Sequence, residues 1–313
     1  MLYKYVKGRL GNQMFQYAAL RSFQKEYFPD KKIGLCFKKV EKKAKKEHFK
    51  EIDSLCQFNT DYQVVDNIKM SFKQKLLIFK LSLILFIYKY LLKKDYANKR
   101  DKIEDKYKDK LLKNNIICRT LGFTKFDLSK INKDKDIIFY GYFESPEYFT
   151  GINKELIKDF EPKEELLKHN KSLFNTIQNE ESVCVSIRRG DFVTNKTYNK
   201  EHFICDENYF YNAIDIIKNN VSNPKFIIFS DDIEWVKNNM KFPKGTLFEK
   251  GTDPVWEKLR LMSNCKHFIL SNSSFSWWSQ FLSSNKTKIV VAPKIWNKKN
   301  DNRDLYGKKW ILI

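Results

Sequence analysis

Three short polar clusters in the second half of the chain carry residue types that could handle a phosphorylated ligand. The first, Arg188-Arg189-Gly190-Asp191, sets two guanidiniums side by side before a glycine and a carboxylate. A guanidinium is planar and permanently charged, and its fork of donors matches phosphate oxygens. Gly190 lets the backbone turn or approach a ligand closely. Asp191 can hold an arginine or accept from a sugar hydroxyl. The second cluster, Asp231-Asp232, offers carboxylates to ribose hydroxyls or a base edge. The third, Asn272-Ser273-Ser274, stands where a helix begins. Unsatisfied N–H groups and the helix dipole there favour an anion, and small serines let it come close. Each cluster also has a plainer reading: a solvated turn with a local ion pair, a helix N-cap, a pair of ordinary serine caps.

The elements that would position these clusters argue for the sharper reading. Val183 to Ile187, Phe226 to Ser230 and His267 to Ser271 are short apolar runs, and each ends in one of the clusters. Thr246 to Phe248 and Lys288 to Ala292 add two more strands. Helical stretches alternate with them, at about Glu207 to Asn219, Ile233 to Met240, Pro254 to Asn264 and Phe275 to Leu282. Such alternation implies a parallel sheet covered by helices. Ligands of such sheets bind outside the carboxyl ends of the strands, so the three clusters fall on one edge and together describe a nucleotide diphosphate site. The chain has no Walker lysine motif, kinase Asp-Phe-Gly or dinucleotide fingerprint, which argues against phosphoryl and hydride transfer. A diphosphate held by arginines and a helix N-terminus, without a metal, suits a nucleotide-sugar glycosyltransferase.

The first half opens as strand, glycine loop and helix: Leu2 to Val6, Gly8-x-x-Gly11, then about Asn12 to Tyr27. That is the start of a Rossmann-like unit, although a lone Gly-x-x-Gly is a weak signal. Further strands are expected at Ile33 to Phe37, Ile116 to Arg119 and Ile137 to Phe143. A helix capped by Ser145, with Pro146 in its first turn, is expected to reach about Phe160. After a break at Pro162 a second helix is expected to run to about Gln178. The domain junction is placed at this break, giving units over 1–160 and 161–313.

Of 313 residues, 42% are hydrophobic, which fits a globular chain. Lys plus Arg number 59 against 38 acidic residues, a net charge of +21 that attracts polyanions or anionic membranes. The six cysteines are far apart and read as reduced thiols of an intracellular protein. Lys38 to Lys50 reads as a surface segment, and Lys99 to Asn115 as a charged, solvated helix. Within Lys69 to Lys94, an apolar run from Leu76 to Tyr88 is cut by Lys80 and is too short to span a bilayer. Two readings stand: a helix packed against the domain, or a helix lying on an anionic membrane surface. A basic nucleic-acid or membrane-surface binding protein without catalysis is the rival for the whole chain. It leaves Arg-Arg-Gly-Asp and the tryptophan-bearing helix at 275–282 unexplained.

Several stretches, in order along the chain, resemble the alpha-1,2-fucosyltransferase family, glycosyltransferase family 11. They are Gly8-Arg9-Leu10-Gly11-Asn12-Gln13-Met14-Phe15-Gln16-Tyr17-Ala18, Gly141-Tyr142-Phe143-Glu144-Ser145, Ser186-Ile187-Arg188-Arg189-Gly190-Asp191, Phe229-Ser230-Asp231-Asp232 and Asn272-Ser273-Ser274-Phe275-Ser276-Trp277-Trp278. The resemblance implies a GT-B-like α/β fold, two Rossmann-like domains facing across a cleft, with the first on the acceptor side and the second binding the donor. It implies inverting transfer of fucose from GDP-β-L-fucose to a 2-hydroxyl, usually of a terminal galactose, in a cell-surface glycan such as lipopolysaccharide O-antigen; a GT-B transferase of another linkage or sugar nucleotide is the nearer alternative. GDP-fucose is then a co-substrate, no metal or other cofactor is needed, and nucleic acid is not a partner. A cytoplasmic location is expected, with peripheral contact at the membrane's inner face as an open addition.

Carried over by motif, Arg189 contacts the diphosphate, Arg188 supports it, and Asp191 orients the arginines. Asp231 or Asp232 reads guanine or ribose, while Asn272, Ser273, Ser274 and Phe275 line the diphosphate and fucose. Gly8, Gly11, Asn12 and Gln13 approach acceptor and fucose from the other domain. Two positions depart from the family pattern. Ser186 replaces a usual histidine, so any guanine contact made there is weaker or comes from elsewhere. Glu144 replaces a usual glutamine; its carboxylate is a candidate general base for the acceptor hydroxyl, or simply an acidic residue at a helix start.

Overall fold

Residues 1–47, 49–91, 96–194, 199, 203–298 and 303–313 are described by a computed structural model. The chain divides into two compact units, Met1–Phe160 with Asn302–Leu305, and Glu161–Asp301 with Tyr306–Ile313.

In the first unit the elements run β1 (Leu2–Tyr5), α1 (Leu10–Tyr27), β2 (Ile33–Cys36), α2 (Lys38–Glu47), β3 (Gln63–Val64), α3 (Phe72–Leu91), α4 (Tyr96–Leu112), β4 (Ile116–Leu121), β5 (Ile137–Glu144) and α5 (Asn153–Asp159). The five strands form a parallel sheet in the order β3-β2-β1-β5-β4. α1 is buried along most of its length because Met14, Phe15, Tyr17, Ala18, Leu20 and Phe23 face the core. Phe23 meets Phe139 of β5 edge-on, ring centroids 5.2 Å apart. The helix stops at Phe28, which Pro29 holds out of helical conformation (φ −138°, ψ 55°). The lysine-rich stretch after β2 is a helix, α2, anchored by Val40 and Ala44.

The carboxyl end of β5 is bent. Its register against β4 shifts between Arg119 and Leu121. Gly141 sits at φ +121°, where an added Cβ would lie 1.7 Å from the Arg119 carbonyl oxygen. Phe143 is also left-handed, at φ 54°, a costly state for a bulky residue that its complete burial sustains. The bend sets the direction in which Glu144 leaves the sheet. Beyond it, the long helix expected from Ser145 is instead two single turns and the short α5. Phe149 breaks it: its backbone leaves helical conformation (φ −139°, ψ 19°), and its ring packs against Phe15, centroids 6.0 Å apart.

In the second unit the elements are α6 (Lys171–Asn179), β6 (Glu181–Ile187), α7 (Gly190–Thr194), α8 (Glu207–Asn220), β7 (Pro224–Ser230), α9 (Ile233–Asn239), β8 (Leu247–Phe248), α10 (Val255–Ser263), β9 (His267–Ile269), α11 (Ser274–Leu282), β10 (Val290–Ala292) and β11 (Ile311–Leu312). The six strands are parallel, in the order β11-β10-β9-β6-β7-β8. β6 is buried on both faces. Val183, Val185 and Ile187 pack with Phe210, Ile214 and Val236, and Cys184 packs with Ile177, Leu261 and Phe268 on the other side. The helix expected to run on from Pro162 begins only at Lys171. The segment before it is held by side chains of α10 and its approach: Leu167 N donates to Glu257 Oε1 (3.0 Å), and Asn170 Nδ2 donates to Asp253 and Glu257.

Two Rossmann-like α/β units, each built round a parallel sheet, agree with the expected fold class, and the first sheet is as fully parallel as the second. Each has a topological switch point, where the chain begins to fill the opposite side of its first strand: between β1 and β5, and between β6 and β9. Crevices at such points are where ligands enter these sheets. We expect Gly141→Ala to destabilise the first unit by more than about 2 kcal/mol, seen as an early transition in a thermal melt. An unchanged melt would show that β4 and β5 can separate there at little cost.

Candidate functional site

In the second unit, β6, β7 and β9 lie side by side, and the register pairs Ile187 with Ser230. The polar residues after each strand therefore emerge next to one another. Ser271 N donates to the Ser186 carbonyl (3.2 Å), which carries the pairing of β6 and β9 to the rim. Asp231 organises the loop after β6. Its Oδ2 lies 2.6 Å from Arg188 Nη1, and its Oδ1 accepts from the Arg189 backbone N–H at 2.8 Å. A Cβ at Gly190 would lie 2.3 Å from Asp231 Oδ2, so a larger residue there would push the carboxylate off the loop. Asp232 accepts from Arg189 Nε at 3.3 Å. It occupies the N-cap position of α9, but its side chain makes no capping bond.

Arg189 is further fixed from above: its guanidinium lies 3.1 Å from the ring centroid of Trp235. A guanidinium carries five donors. With Nε on Asp232 and its face on Trp235, the edge that Arg189 can present to an oxyanion is the Nη pair. Trp235 was not singled out in the sequence. Its signal is the helical step Asp232-x-x-Trp235, which sets the ring over the same loop.

Ser186 is buried, and its Oγ lies 2.6 Å from Ser276 Oγ, which in turn lies 3.0 Å from Ser271 Oγ. This hydroxyl chain ties β6 and the rim of β9 to the first turn of α11. Ser186 thus braces the site from behind. Ser273 is the N-cap of α11 without a side-chain cap bond, and Trp277 N returns to its carbonyl (2.9 Å). Ser273, Ser274 and Phe275 are partly exposed at the helix start. Asn272 is buried, and its Nδ2 donates to the Trp296 carbonyl at 3.0 Å. Trp278, fully buried against Trp277 and Phe281, anchors the helix below. The Asp191 side chain lies outside the described residues.

In the first unit, the loop after β1 is shaped by two buried amides. Gln13 donates to Gly8 O (3.1 Å) and Ile52 O (2.8 Å) and accepts from Ser54 N (3.1 Å). Gln16 bonds both the N–H and carbonyl of Lys7, at 3.1 and 2.7 Å. Gly8 is left-handed at φ +78°, directly over Asn12. Gln13 has no exposed surface and holds the loop from within; Gly11 is buried beside it at the start of α1, while Asn12 is partly exposed.

Three lysines gather at this switch point and were not singled out in the sequence. Lys4 is buried, and its Nζ donates to the Gly141 carbonyl. Lys7 Nζ lies 4.9 and 5.6 Å from the ring centroids of Tyr140 and Tyr142. Lys39 Nζ lies 5.0 and 5.5 Å from Tyr5 and Tyr140. Burial, then Lys39, pulls the Lys7 ammonium down to about 8, so at neutral pH it is largely charged and suited to an anionic oxygen. Glu144, at the bent end of β5, is half-buried. Burial pushes its carboxyl up to about 7, with Arg100 partly offsetting the effect. A carboxyl in that range can accept a proton near neutral pH. These residues are described within the first unit, and the arginine loop within the second.

The model of Glycosyl transferase family 11 matches residues 1–313. The chain belongs to glycosyl transferase family 11. This family 11 chain is 30% identical to an alpha-1,2-colitosyltransferase of Escherichia coli, over 98% of this chain and 96% of that protein. It is 26% identical to the O-antigen biosynthesis glycosyltransferase WbnK of Escherichia coli, over the whole of both. It is 23% identical to the galactoside 2-alpha-L-fucosyltransferase Sec1 of Mus musculus, over 49% of this chain and 44% of that one.

The raised Glu144 carboxyl gives a stability signature for the family 11 chain. Unfolded, the group ionises near its ordinary 4.5; folded, near 7. Between those values the unfolded state releases a proton that the folded state keeps, so stability is lost as pH rises through the window. Glu144→Gln removes this loss. Its Tm should equal that of the parent near pH 4.5 and exceed it by on the order of a few degrees at pH 8. A constant difference across that range would show that Glu144 is ordinary.

Proposed function

We propose that this chain transfers L-fucose from GDP-β-L-fucose to the 2-hydroxyl of a terminal β-galactosyl residue, with inversion and without a metal ion. One observation carries the reading: two guanidiniums at the carboxyl end of β6 are fixed by Asp231 and Asp232 at the adjacent end of β7, with the start of α11 following β9 on the other side of β6. As the bond between fucose C1 and the β-phosphate oxygen breaks, GDP leaves with the electron pair. The Nη edge of Arg189 and the N–H groups opening α11 meet the charge that builds there. The acceptor oxygen bonds to C1 from the opposite face and gives up its proton. Glu144 is the proposed base, half ionised near pH 7. The product is a cell-surface glycan of the O-antigen kind, and six cysteines spaced far apart in the sequence fit a cytoplasmic setting.

A second donor is favoured by the relative named for colitose. Colitose is fucose without its 3-hydroxyl, so one site can read the GDP and the methyl-bearing ring of both. The test is GDP release from GDP-fucose and from GDP-colitose, each with and without lactose, in EDTA, with the product linkage read by NMR. Acceptor-dependent release from GDP-fucose and an α-1,2 linkage support the first reading. A large preference for GDP-colitose moves the assignment to the second, and no release from either overturns both.

Arg189→Ala should lower kcat by about 10²–10³ while leaving the Tm unchanged, and Arg189→Lys should recover only part, since a point charge lacks the fork. Asp231→Asn keeps an acceptor for the Arg189 N–H but loses the Arg188 pair. It should weaken GDP binding by roughly ten- to a hundredfold. Near-normal turnover of Arg189→Ala would place the diphosphate elsewhere.

A further inference from the structure

α3 has two apolar faces. Leu77, Leu81 and Leu85 are buried on the first unit's core, against Cys36, Leu111, Cys118 and Ile138. Phe72, Leu76, Phe79, Leu83, Phe86 and Tyr90 recur in steps of three and four on the other side. They are exposed, from 39% at Leu76 to 81% at Phe72. At about 100° per residue the two stripes are centred on opposite sides of the helix. Lys73 and Lys80 fall along one border of the exposed stripe, and Lys75 and Lys89 along the other; all four are exposed. No acidic residue occurs between Phe72 and Leu91.

We infer that this outer face of α3 docks on the surface of a membrane containing anionic lipid, with the helix lying in the plane of the interface. An exposed apolar stripe some 30 Å long is unusual on a surface that meets only water. No helix of the described residues is long and apolar enough to cross a membrane. The arrangement matches an interfacial helix. Aromatic and leucine side chains enter the acyl boundary, and flanking lysines reach back to headgroup phosphates and anionic lipids. The buried stripe holds the helix to the sheet, so the outer stripe is presented already formed. Charge decides between lipid and a second copy of the chain. Two copies meeting on this face would set lysine rows against each other, with no carboxylate on α3 to pair with them and +21 on each chain.

The test is flotation of the full chain with vesicles of phosphatidylcholine alone and with 30% phosphatidylglycerol, beside gel filtration without lipid. The chain should float with the anionic vesicles, weakly with the neutral ones, and less as salt rises. Phe79→Ser with Leu83→Ser and Phe86→Ser should cut the bound fraction at least tenfold at an unchanged Tm. If that variant melts early, Lys73→Glu with Lys80→Glu, both on exposed side chains, decides the matter by the same loss. The inference is overturned if the parent chain stays unbound with both vesicles, or if the folded variants float as it does. It is also overturned if the parent is a dimer without lipid and the serine variant a monomer.

Discussion

The candidate donor site depends on one carboxylate held between two adjacent strands. Asp231 leaves β7 and takes both the guanidinium of Arg188 and the backbone N–H of Arg189. A loop carrying two neighbouring like charges would otherwise splay, since the guanidiniums repel and water solvates each separately. Bound to Asp231, the loop keeps one shape before any ligand arrives, and little ordering is left to oppose binding. The interaction exists only because β6 and β7 are parallel and in register, which puts residue 231 beside residue 189. It also explains Gly190: the space a side chain would fill is taken by the carboxylate.

Rigidity behind the site comes from groups that never face solvent. The Ser186–Ser276–Ser271 hydroxyl chain joins two strands and a helix at the back of the arginine loop. In the first unit the amides of Gln13 and Gln16 do the same for the glycine loop. Buried amides and hydroxyls with every partner in place are worth more as fixtures than their modest net energies suggest, because leaving one unpaired is expensive. Residues that look like ligands in a motif can therefore be its scaffold.

The two switch points differ in charge. In the second unit each arginine has a carboxylate, so the positive field is local and directed. In the first, Lys7 and Lys39 stand over tyrosine rings near the buried Lys4, and burial, then Lys39, lowers Lys7. Glu144, at the bent end of the strand that carries Tyr140 and Tyr142, is shifted the other way by burial. The first unit thus carries groups poised near neutral pH, and the second carries arginines fixed by carboxylates.

The alternation of apolar runs and helices made the second unit's parallel sheet and the arginine, aspartate and serine clusters legible in the sequence, because strand period and turn chemistry are local. The helices after Ser145 and Pro162 are shorter than their local sequence implies, because Phe149 and the Leu167–Asn170 segment follow distant partners in place of their own propensity. The roles of Asp231, Ser186 and Gln13 were equally out of reach. Each depends on which residue a side chain meets across strands or turns, and composition carries no record of that. For α3 the sequence left two readings open, packed or interfacial. The structure gives the helix a buried face and an exposed one, since three leucines are enough to hold it to the sheet. Sequence by itself determined the kinds of groups this protein brings to its strand ends. Tertiary structure decided which of them face a ligand and which hold the others still, because that depends on neighbours brought together only by the register of the sheet.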